Sequence, residues 1–270
     1  MSSDTAAREA LICQVESNGV ARLTLNRPEV HNAFNDALIA EMTSALDALE
    51  RDAQVRVVVL SGTGKSFSAG ADLNWMRAMA GYSHGENLRD AEALGLLMHR
   101  LDSLRKPTLA LVQGAAFGGG VGLVACCDIA IAARRATFCL SEVKLGLIPG
   151  VISPYVVAAM GPRAARRYFL TAERFSAEKA MALGLVHEVV ADDGLDVAAD
   201  AIIAELLTVG PNAVKEAKDL IATVAFRPPE AALRQDTAER IARIRASDEG
   251  REGLTAFLEK RPPTWRDAKD

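Results

Sequence analysis

Short apolar runs and longer amphipathic runs alternate along the first part of the chain. "LICQVES" (11–17) and "VARLTL" (20–25) are β-rich and flank Asn18-Gly19, a dipeptide typical of hairpin turns. "DALIAEMTSALDALERD" (36–52) then has its apolar residues at helical spacing. The pattern predicts a β-hairpin followed by a helix.

The same alternation of strands and helices continues. "VRVVVLSG" (55–62), "PTLALVQG" (107–114) and "CDIAIAA" (127–133) are nearly continuous apolar runs, the pattern of strands that are buried on both faces. A helical pattern, "ENLRDAEALGLLMHRLDSL" (86–104), precedes the second of these runs. We therefore predict an α/β fold.

From about Gly161 onward, helical patterns dominate. They cover Arg163–Thr171, Ala177–Leu183, Leu195–Thr208, Pro211–Val224 and Glu230–Arg245, and only "GLVHEVV" reads as a strand, which would contain His187. No low-complexity linker separates the two parts. We divide the chain into an α/β core over residues 1–200 and a C-terminal helical region over residues 201–270.

Composition and charge exclude several classes of function. The 270 residues are 50% hydrophobic with a formal net charge of −4, and the charges are interspersed, so we expect no nucleic-acid partner. No apolar run approaches the roughly 18 residues that span a bilayer, and the start of the chain has neither a basic nor an apolar segment. We therefore expect a cytoplasmic protein without a membrane partner.

The four cysteines and four histidines carry no recognisable metal-site spacing. Cys13, Cys126, Cys127 and Cys139 form no C-x-x-C pair, and we interpret all four as buried small hydrophobes. We expect neither a metal site nor a catalytic histidine.

Two glycine-containing segments each lead from a strand into a helix. They are "GKSFSAGADLNWM" (64–76), with Asp72 at the helix start, and "QGAAFGGGVGL" (113–123). A helix start leaves backbone N–H groups unpaired, and two such groups that face each other would form an oxyanion hole. Glycine and alanine would also let an extended ligand approach the backbone.

Five motifs together resemble the enoyl-CoA hydratase/isomerase, or crotonase, family. They are "NRPEVHNAF", "FSAGADL", "GAAFGGGVGL", "CDIAIA" and "SEVKLGLIPG", and the resemblance covers about residues 11–265. It implies a spiral of β-β-α units, a C-terminal helical trimerisation region, and a homotrimer or a dimer of trimers. It also implies a coenzyme A thioester as the substrate, so that coenzyme A is part of the substrate and no separate cofactor is expected.

The resemblance assigns roles to residues of this chain. It implies that the N–H groups of Ala71 and Gly119 form the oxyanion hole and that Glu142 moves protons. The coenzyme A contacts that it implies are Val30, Ala33, Ala69, Asp72 and Leu73, together with Phe257 and Lys260 from "FLEKRPPTW", which would reach coenzyme A across a subunit interface.

One position departs from the family pattern. Gly122 stands where the family usually has a second glutamate, in "GGGVG" rather than the expected "GGG-x-E". A single carboxylate can serve hydration, by taking a proton from water and returning one to the α carbon, or double-bond isomerisation. Mechanism alone leaves hydratase and isomerase open, and a non-catalytic protein that binds CoA thioesters is a third class.

Longer motifs favour a hydratase. "FSAGADLNWM", "GAAFGGGVGLVACCDIAIA" and "GVISPYV" are similar to hydratases that act on 3-methylglutaconyl-CoA in leucine breakdown and on isohexenylglutaconyl-CoA in terpene breakdown. Both acyl groups are branched and carry a second carboxylate. We expect Gly122 to remove a repelling charge and to leave room for that group.

Several side chains have two interpretations. Asp72 could be a helix cap rather than a coenzyme A contact, and Ser153 and Tyr155 could pack in the core or contact the acyl group. Trp75 and Met76 are expected to cover the acyl pocket.

Overall fold

The computed structural model describes residues 9–266, which form an α/β fold built on two β-sheets. The strands are β1 (Leu11–Val15), β2 (Val20–Leu25), β3 (Val57–Gly62), β4 (Ser66–Ser68), β5 (Thr108–Val112), β6 (Ala115–Phe117), β7 (Ile129–Ala133), β8 (Thr137–Cys139), β9 (Phe175–Ser176) and β10 (Glu188–Val190). The antiparallel β1–β2 hairpin turns at Asn18 and Gly19, as the sequence predicts.

The first sheet has six strands in the order β1-β2-β3-β5-β7-β10, and every pair from β2 onward is parallel. The central strands β3, β5 and β7 are almost completely buried, because helices cover both faces of the sheet. The apolar runs that predicted these strands are therefore confirmed.

The second sheet has four short strands in the order β4-β6-β8-β9. β4, β6 and β8 pair in parallel, and each one follows a strand of the first sheet after a short loop. The sequence predicted no strand in these segments, because three residues are too few to show a period of two.

Ten helices and two short 3-10 helices complete the described chain. The helices are α1 (Asp36–Arg51), α2 (Leu73–Met79), α3 (His84–Asp102), α4 (Gly119–Cys126), α5 (Ser153–Thr171), α6 (Ala177–Ala182), α7 (Leu195–Thr208), α8 (Pro211–Val224), α9 (Ala231–Ala246) and α10 (Asp248–Glu259), and the 3-10 helices are Pro28–Val30 and Glu142–Leu145.

The predicted helices are present, and three features of this part of the chain differ from the prediction. The helix expected from Arg163 begins earlier, at Ser153, and is interrupted at Gly161, whose φ of 75° is not helical. α10 was not predicted, and His187 lies just before β10 rather than within it. Gly161 and the following Pro162 explain why the sequence showed only the second half of α5.

The elements repeat as strand, strand and helix. β3 and β4 lead into α2 and α3, β5 and β6 lead into α4, and β7 and β8 lead into Glu142–Leu145 and α5. Because β4, β6 and β8 are neighbours in one parallel sheet, successive units stack on one another. This is the predicted spiral of β-β-α units.

α7 closes the outer face of the first sheet. Ala199 and Ile203 pack against Val57, Leu109 and other buried residues of the sheet. The division that we drew between residues 200 and 201 therefore falls inside a helix that belongs to the core.

The last three helices bury few side chains of their own. In α8, α9 and α10, as far as the structure describes them, only Leu233 and Ala256 are buried, whereas Ile221 and Leu258 are more than two-thirds exposed. A role for residues 201–270 in oligomerisation stays a prediction, and residues 267–270 lie outside the described residues.

No single helix between residues 9 and 266 has the length and apolar composition of a membrane span. α7 and α8 have that length and composition only when taken together, and the pair is bent by 106°.

Three of the four cysteines are buried as expected: Cys126, Cys127 and Cys139. Cys13 is exposed and lies in β1, the strand at the edge of the first sheet. The expectation that all four are buried was wrong for Cys13.

Candidate active site

Three of the predicted residues come together at the ends of neighbouring strands. Ala71 lies three residues after β4, Gly119 two residues after β6, and Glu142 three residues after β8. Since these strands are adjacent and parallel, their C-terminal ends lie at one edge of the second sheet. The spiral therefore collects one candidate group from each of three successive units.

A parallel bridge with Phe34 fixes the backbone at Ala71. The Phe34 N–H donates to the Gly70 carbonyl at 2.7 Å, and the Asp72 N–H donates to the Phe34 carbonyl at 2.8 Å. These bonds use the groups on either side of the Ala71 N–H, and no acceptor within residues 9–266 takes that N–H itself. The Ala71 N–H is therefore held in place and available to a ligand.

Gly119 is the first residue of α4, where a backbone N–H has no partner within the helix. The preceding Gly118 has φ 50° and ψ −118°, a conformation that glycine adopts readily, and its N–H donates to the Cys139 carbonyl of β8 at 2.8 Å. These features turn the chain sharply from β6 into α4.

The two loops that carry the N–H groups are in contact. A Cβ added to Gly118 would lie 4.0 Å from the Gly70 Cα, and one added to Gly70 would lie 3.2 Å from the Phe117 carbonyl oxygen. Neighbouring strands are about 4.8 Å apart, which lets two donors reach one oxygen between them at about 2.9 Å each. The arrangement suits the oxygen of a thioester carbonyl as negative charge develops on it.

Phe34 supports both sides of this arrangement, and sequence analysis gave it no role. Its backbone bridges Ala71, and its ring lies 3.0 Å from the position of a Cβ added to Gly119. Phe34 is only 1% exposed. Its place in "NRPEVHNAF" was a signal, but nothing in the spacing of that motif indicated a contact with the glycine triplet.

Glu142 begins the 3-10 helix after β8, and its carboxyl group lies against Gly118. A Cβ on Gly118 would lie 3.1 Å from Oε1, so a larger residue there would crowd the carboxylate. Oε2 is buried and has no hydrogen-bond partner in the described chain. Burial raises the pKa of Glu142 above its ordinary value, an effect that its own backbone N–H partly offsets. A desolvated carboxyl with a free oxygen is suited to proton transfer.

The structure corrects the expectation that Gly122 leaves room for an acyl group. A Cβ at this position would lie 2.3 Å from Ile152 Cγ2 and 3.2 Å from Met98 Cε. The space beside Gly122 is therefore filled by two apolar side chains of the protein. Residue 122 still lacks the second carboxylate of the family pattern, but no cavity takes its place.

Asp72 is engaged by groups of its own chain. Oδ1 accepts the Asn74 N–H at 2.8 Å, which caps α2, and Oδ2 accepts from Arg27 Nη2 at 2.9 Å. Burial alone would raise the pKa of Asp72, but the Asn74 N–H and the Arg27 guanidinium together hold it below its ordinary value. The capping interpretation is confirmed, and a coenzyme A contact by Asp72 stays a prediction.

The other coenzyme A contacts predicted from the first part of the chain lie on two adjacent segments. The Ala69 N–H donates to the His31 carbonyl at 3.0 Å, which joins the segment of Val30 and Ala33 to the segment that ends at Leu73. Leu73 is 69% exposed, whereas Ala33 is buried. The structure brings these predicted residues together beside Ala71.

Phe257 and Lys260 lie elsewhere, at the end of α10. Phe257 is 80% exposed, and Lys260 ends the helix in the left-handed conformation with φ 54°. α10 packs against α8 and α9. Within one chain these two residues are not part of the cluster around Glu142, and their contact with coenzyme A stays a prediction.

The remaining side chains have structural contacts. Ser153 Oγ donates to the Gly150 carbonyl at 2.7 Å, and Tyr155 packs against the core. Trp75 is buried and its Nε1 donates to Asp90 Oδ1 at 3.2 Å, which ties α2 to α3. The packing interpretation agrees with the contacts of Tyr155, whereas Ser153 makes a local hydrogen bond and does not pack in the core.

Comparison with known proteins agrees with the geometry. The family described as Enoyl-CoA hydratase/isomerase matches residues 15–268. The crystal structure of an enoyl-CoA hydratase from Shewanella pealeana is 52% identical, has a TM-score of 0.93, and covers 95% of this chain and 96% of that one.

Two curated relatives match over nearly their whole length. A putative enoyl-CoA hydratase of Thermus thermophilus is 36% identical over 252 residues, which are 93% of this chain and 99% of that protein. The 2,3-dehydroadipyl-CoA hydratase of Escherichia coli is 32% identical over 248 residues, 92% and 95% of the two chains. The chain therefore belongs to the enoyl-CoA hydratase/isomerase family and is an enoyl-CoA hydratase-type lyase.

Proposed function

We propose that this enzyme adds water across the double bond of a β-branched, carboxylated enoyl-CoA, such as 3-methylglutaconyl-CoA, with Glu142 as its single acid and base. The observation that carries the proposal is the buried Oε2 of Glu142 in the same cluster as the N–H groups of Ala71 and Gly119, none of which has a hydrogen-bond partner within residues 9–266. The sequence offers no second carboxylate at Gly122.

Every group of the protein returns to its starting state at the end of the proposed reaction. The thioester oxygen lies between the N–H groups of Ala71 and Gly119, which stabilise the negative charge that develops when the β carbon is attacked. Glu142 takes a proton from water as the water oxygen bonds to the β carbon. The same proton then passes from Glu142 to the α carbon, and the carboxylate is restored.

A carboxylated acyl group fits a site with one glutamate. Two unit charges 4 Å apart interact by about 4 kcal/mol at an effective dielectric constant of about 20, so a second glutamate would oppose a substrate carboxylate. A relative at 32% identity is named for a carboxylated substrate, 2,3-dehydroadipyl-CoA. Both points support a carboxylated acyl group.

We further propose that the coenzyme A part of the substrate lies along Val30, Ala33, Ala69, Asp72 and Leu73, and that Phe257 and Lys260 reach it from a neighbouring subunit. The exposure of Leu73 and Phe257 supports this arrangement, since each is free to contact a ligand or another chain. The assembly would be a homotrimer or a dimer of trimers.

The test compares three substrates: 3-methylglutaconyl-CoA, crotonyl-CoA and a 3-enoyl-CoA. Hydration removes the absorbance of the conjugated thioester, and isomerisation of the 3-enoyl-CoA creates it. We expect the highest kcat/KM for hydration of 3-methylglutaconyl-CoA. A preference for crotonyl-CoA would contradict the acyl assignment. Turnover of the 3-enoyl-CoA alone would favour the isomerase, which one glutamate also permits, and binding without turnover would favour a CoA-thioester-binding protein.

A further inference from the structure

Ile152 packs against Gly122 of α4, four residues after Gly118, the glycine that faces Glu142. Gly118 and Gly122 are one helical turn apart, and the Gly122 N–H donates to the Gly118 carbonyl at 3.3 Å. The Glu142 carboxyl lies against the first glycine, and the Ile152 side chain lies against the second. Glu142 and Ile152 therefore lie against two glycines that are four residues apart and are joined by a backbone hydrogen bond.

Ile152 fills its place completely. The side chain is 2% exposed, and both its Cγ2 and its Cβ lie within 3.0 Å of the position that a Cβ on residue 122 would take. Met98 closes the same space from α3. No water and no second carboxyl group can stand beside Gly122 while Ile152 is there.

We infer that Ile152 is a positioning residue, which keeps the Glu142 carboxyl in a water-poor place by occupying the space beside Gly122. The inference rests on the proposed role of Glu142 as the acid and base. It adds a residue that touches no reacting atom and acts through the carboxyl group.

Charged neighbours are not the cause of the raised pKa of Glu142. α4 carries no charged side chain, and neither do Met98 on α3 and Ile152 before α5. On β8, the Cys139 thiol has a pKa that burial raises, that Lys144 and Arg174 lower, and that Glu142 raises. The raised pKa of Glu142 itself comes from burial. The apolar surroundings are therefore the property to change.

The test is a titration of Glu142 that needs no turnover. The carboxyl carbon of Glu142 is followed by NMR in protein with ¹³C-labelled glutamate, and its resonance is assigned by its loss in Glu142→Gln. In Ile152→Ala, which removes Cγ2, water enters and the Glu142 midpoint should fall below that of the wild type. The pH dependence of kcat should move in the same direction.

Two matched variants separate this role from simple core packing. Ile152→Val keeps both atoms that touch Gly122, so the Glu142 midpoint should stay at the wild-type value. Val156→Ala opens a cavity one turn further along α5, at a residue that is fully buried, and should lower Tm without moving the midpoint. An unchanged midpoint in folded Ile152→Ala, or an equal fall in Val156→Ala, would overturn the inference.

A second measurement covers the case in which Ile152→Ala is too unstable to titrate. Gly122→Ala places a Cβ 2.3 Å from Ile152 Cγ2 and should lower Tm. In the double variant with Ile152→Ala the 2.3 Å contact is removed, and the approach of 2.9 Å to the Cβ of residue 152 remains. The added loss of Tm should therefore shrink, whereas additive losses would contradict the packing.

The inference and the proposed function can fail separately. If the wild type turns over none of the three thioesters but Ile152→Ala still lowers the Glu142 midpoint, the proposed function is wrong, while the effect of Ile152 on the Glu142 carboxyl is upheld. If the wild type hydrates a thioester but Ile152→Ala leaves the Glu142 midpoint unchanged, the proposed function stands and the inference about Ile152 is wrong.

Discussion

Arg27 and Asp72 form an ion pair, with Nη2 of the guanidinium 2.9 Å from Oδ2 of the carboxylate, directly beside Ala71, whose N–H we propose as an oxyanion donor. Arg27 also donates from Nη1 to the Ala33 carbonyl at 2.7 Å. One guanidinium therefore ties the start of α2 to the segment of Ala33. The side chain of Asp72 is 7% exposed, which makes it sensitive to the loss of its partner.

Arg27→Met should lower the free energy of unfolding by about 3–5 kcal/mol, because it leaves a buried carboxylate unpaired. Asp72→Asn should cost less, since asparagine keeps the helix cap and the freed guanidinium is closer to solvent. Urea unfolding measures both, and Arg27→Lys, with its charge but no fork of donors, should fall between them. Equal stability of Arg27→Met and the wild type would show that the ion pair has no structural role.

Glu142→Gln should lower kcat for hydration by about 10²–10⁴-fold, the usual contribution of a general acid or base. The amide has nearly the shape of the carboxyl group, so binding of the CoA thioester should change little. Steady-state kinetics and equilibrium binding of a non-reactive thioester check the two expectations. Turnover near that of the wild type would remove Glu142 from the mechanism.

Glu142 should also make stability depend on pH. Its pKa in the folded state is raised above the ordinary value of about 4.5 by burial, so the unfolded chain releases the proton more readily than the folded one. Stability that is fully present below about pH 4.5 is therefore lost as the pH rises through the folded-state pKa. Over that pH range, the Tm of Glu142→Gln minus the Tm of the wild type should increase. A constant difference that the amide itself introduces does not affect this trend. A difference that does not vary with pH would contradict the burial of the charge.

Gly119→Pro should disable one oxyanion donor. Proline lacks the N–H and fits the first position of a helix, and it adds a Cβ 3.0 Å from Phe34 Cε2. Gly119→Ala adds the same atom but keeps the N–H, and is the matched control. The proline variant should have a kcat about 10²–10³-fold below that of the alanine variant. Similar turnover in the two, at similar Tm, would exclude the Gly119 N–H from charge stabilisation.

The sequence predicted much of the first sheet, because its strands and the helices over them have strong periodicity. The hairpin at Asn18-Gly19 and the buried strand Val57–Gly62 are where the apolar pattern placed them. The second sheet was missed because β4, β6 and β8 have three residues each, and their pairing is decided by neighbouring units of the spiral rather than by local pattern.

In the candidate site, motifs found the backbone groups but not what packs around them. Ala71, Gly119 and Glu142 lie in recognisable segments, and the structure brings them to one edge of a sheet. The expectation for Gly122 failed because the side chain that fills its space comes from Ile152, thirty residues later in the chain. A missing side chain shows where room can exist, and only the fold shows whether another residue takes it.

Because β4, β6 and β8 are neighbours in one sheet, some properties of the site depend on backbone hydrogen bonds and others depend on side chains. The separation of the two N–H groups that we propose as oxyanion donors is set by hydrogen bonding between backbones, so it is largely independent of which side chains the neighbouring positions carry. The surroundings of the acyl chain and of the base depend instead on side chains such as Ile152. If the proposed oxyanion hole activates the thioester, substitutions can vary substrate choice one residue at a time without disturbing that activation. A one-residue insertion between Ser68 and Ala71 would instead abolish it in a single step.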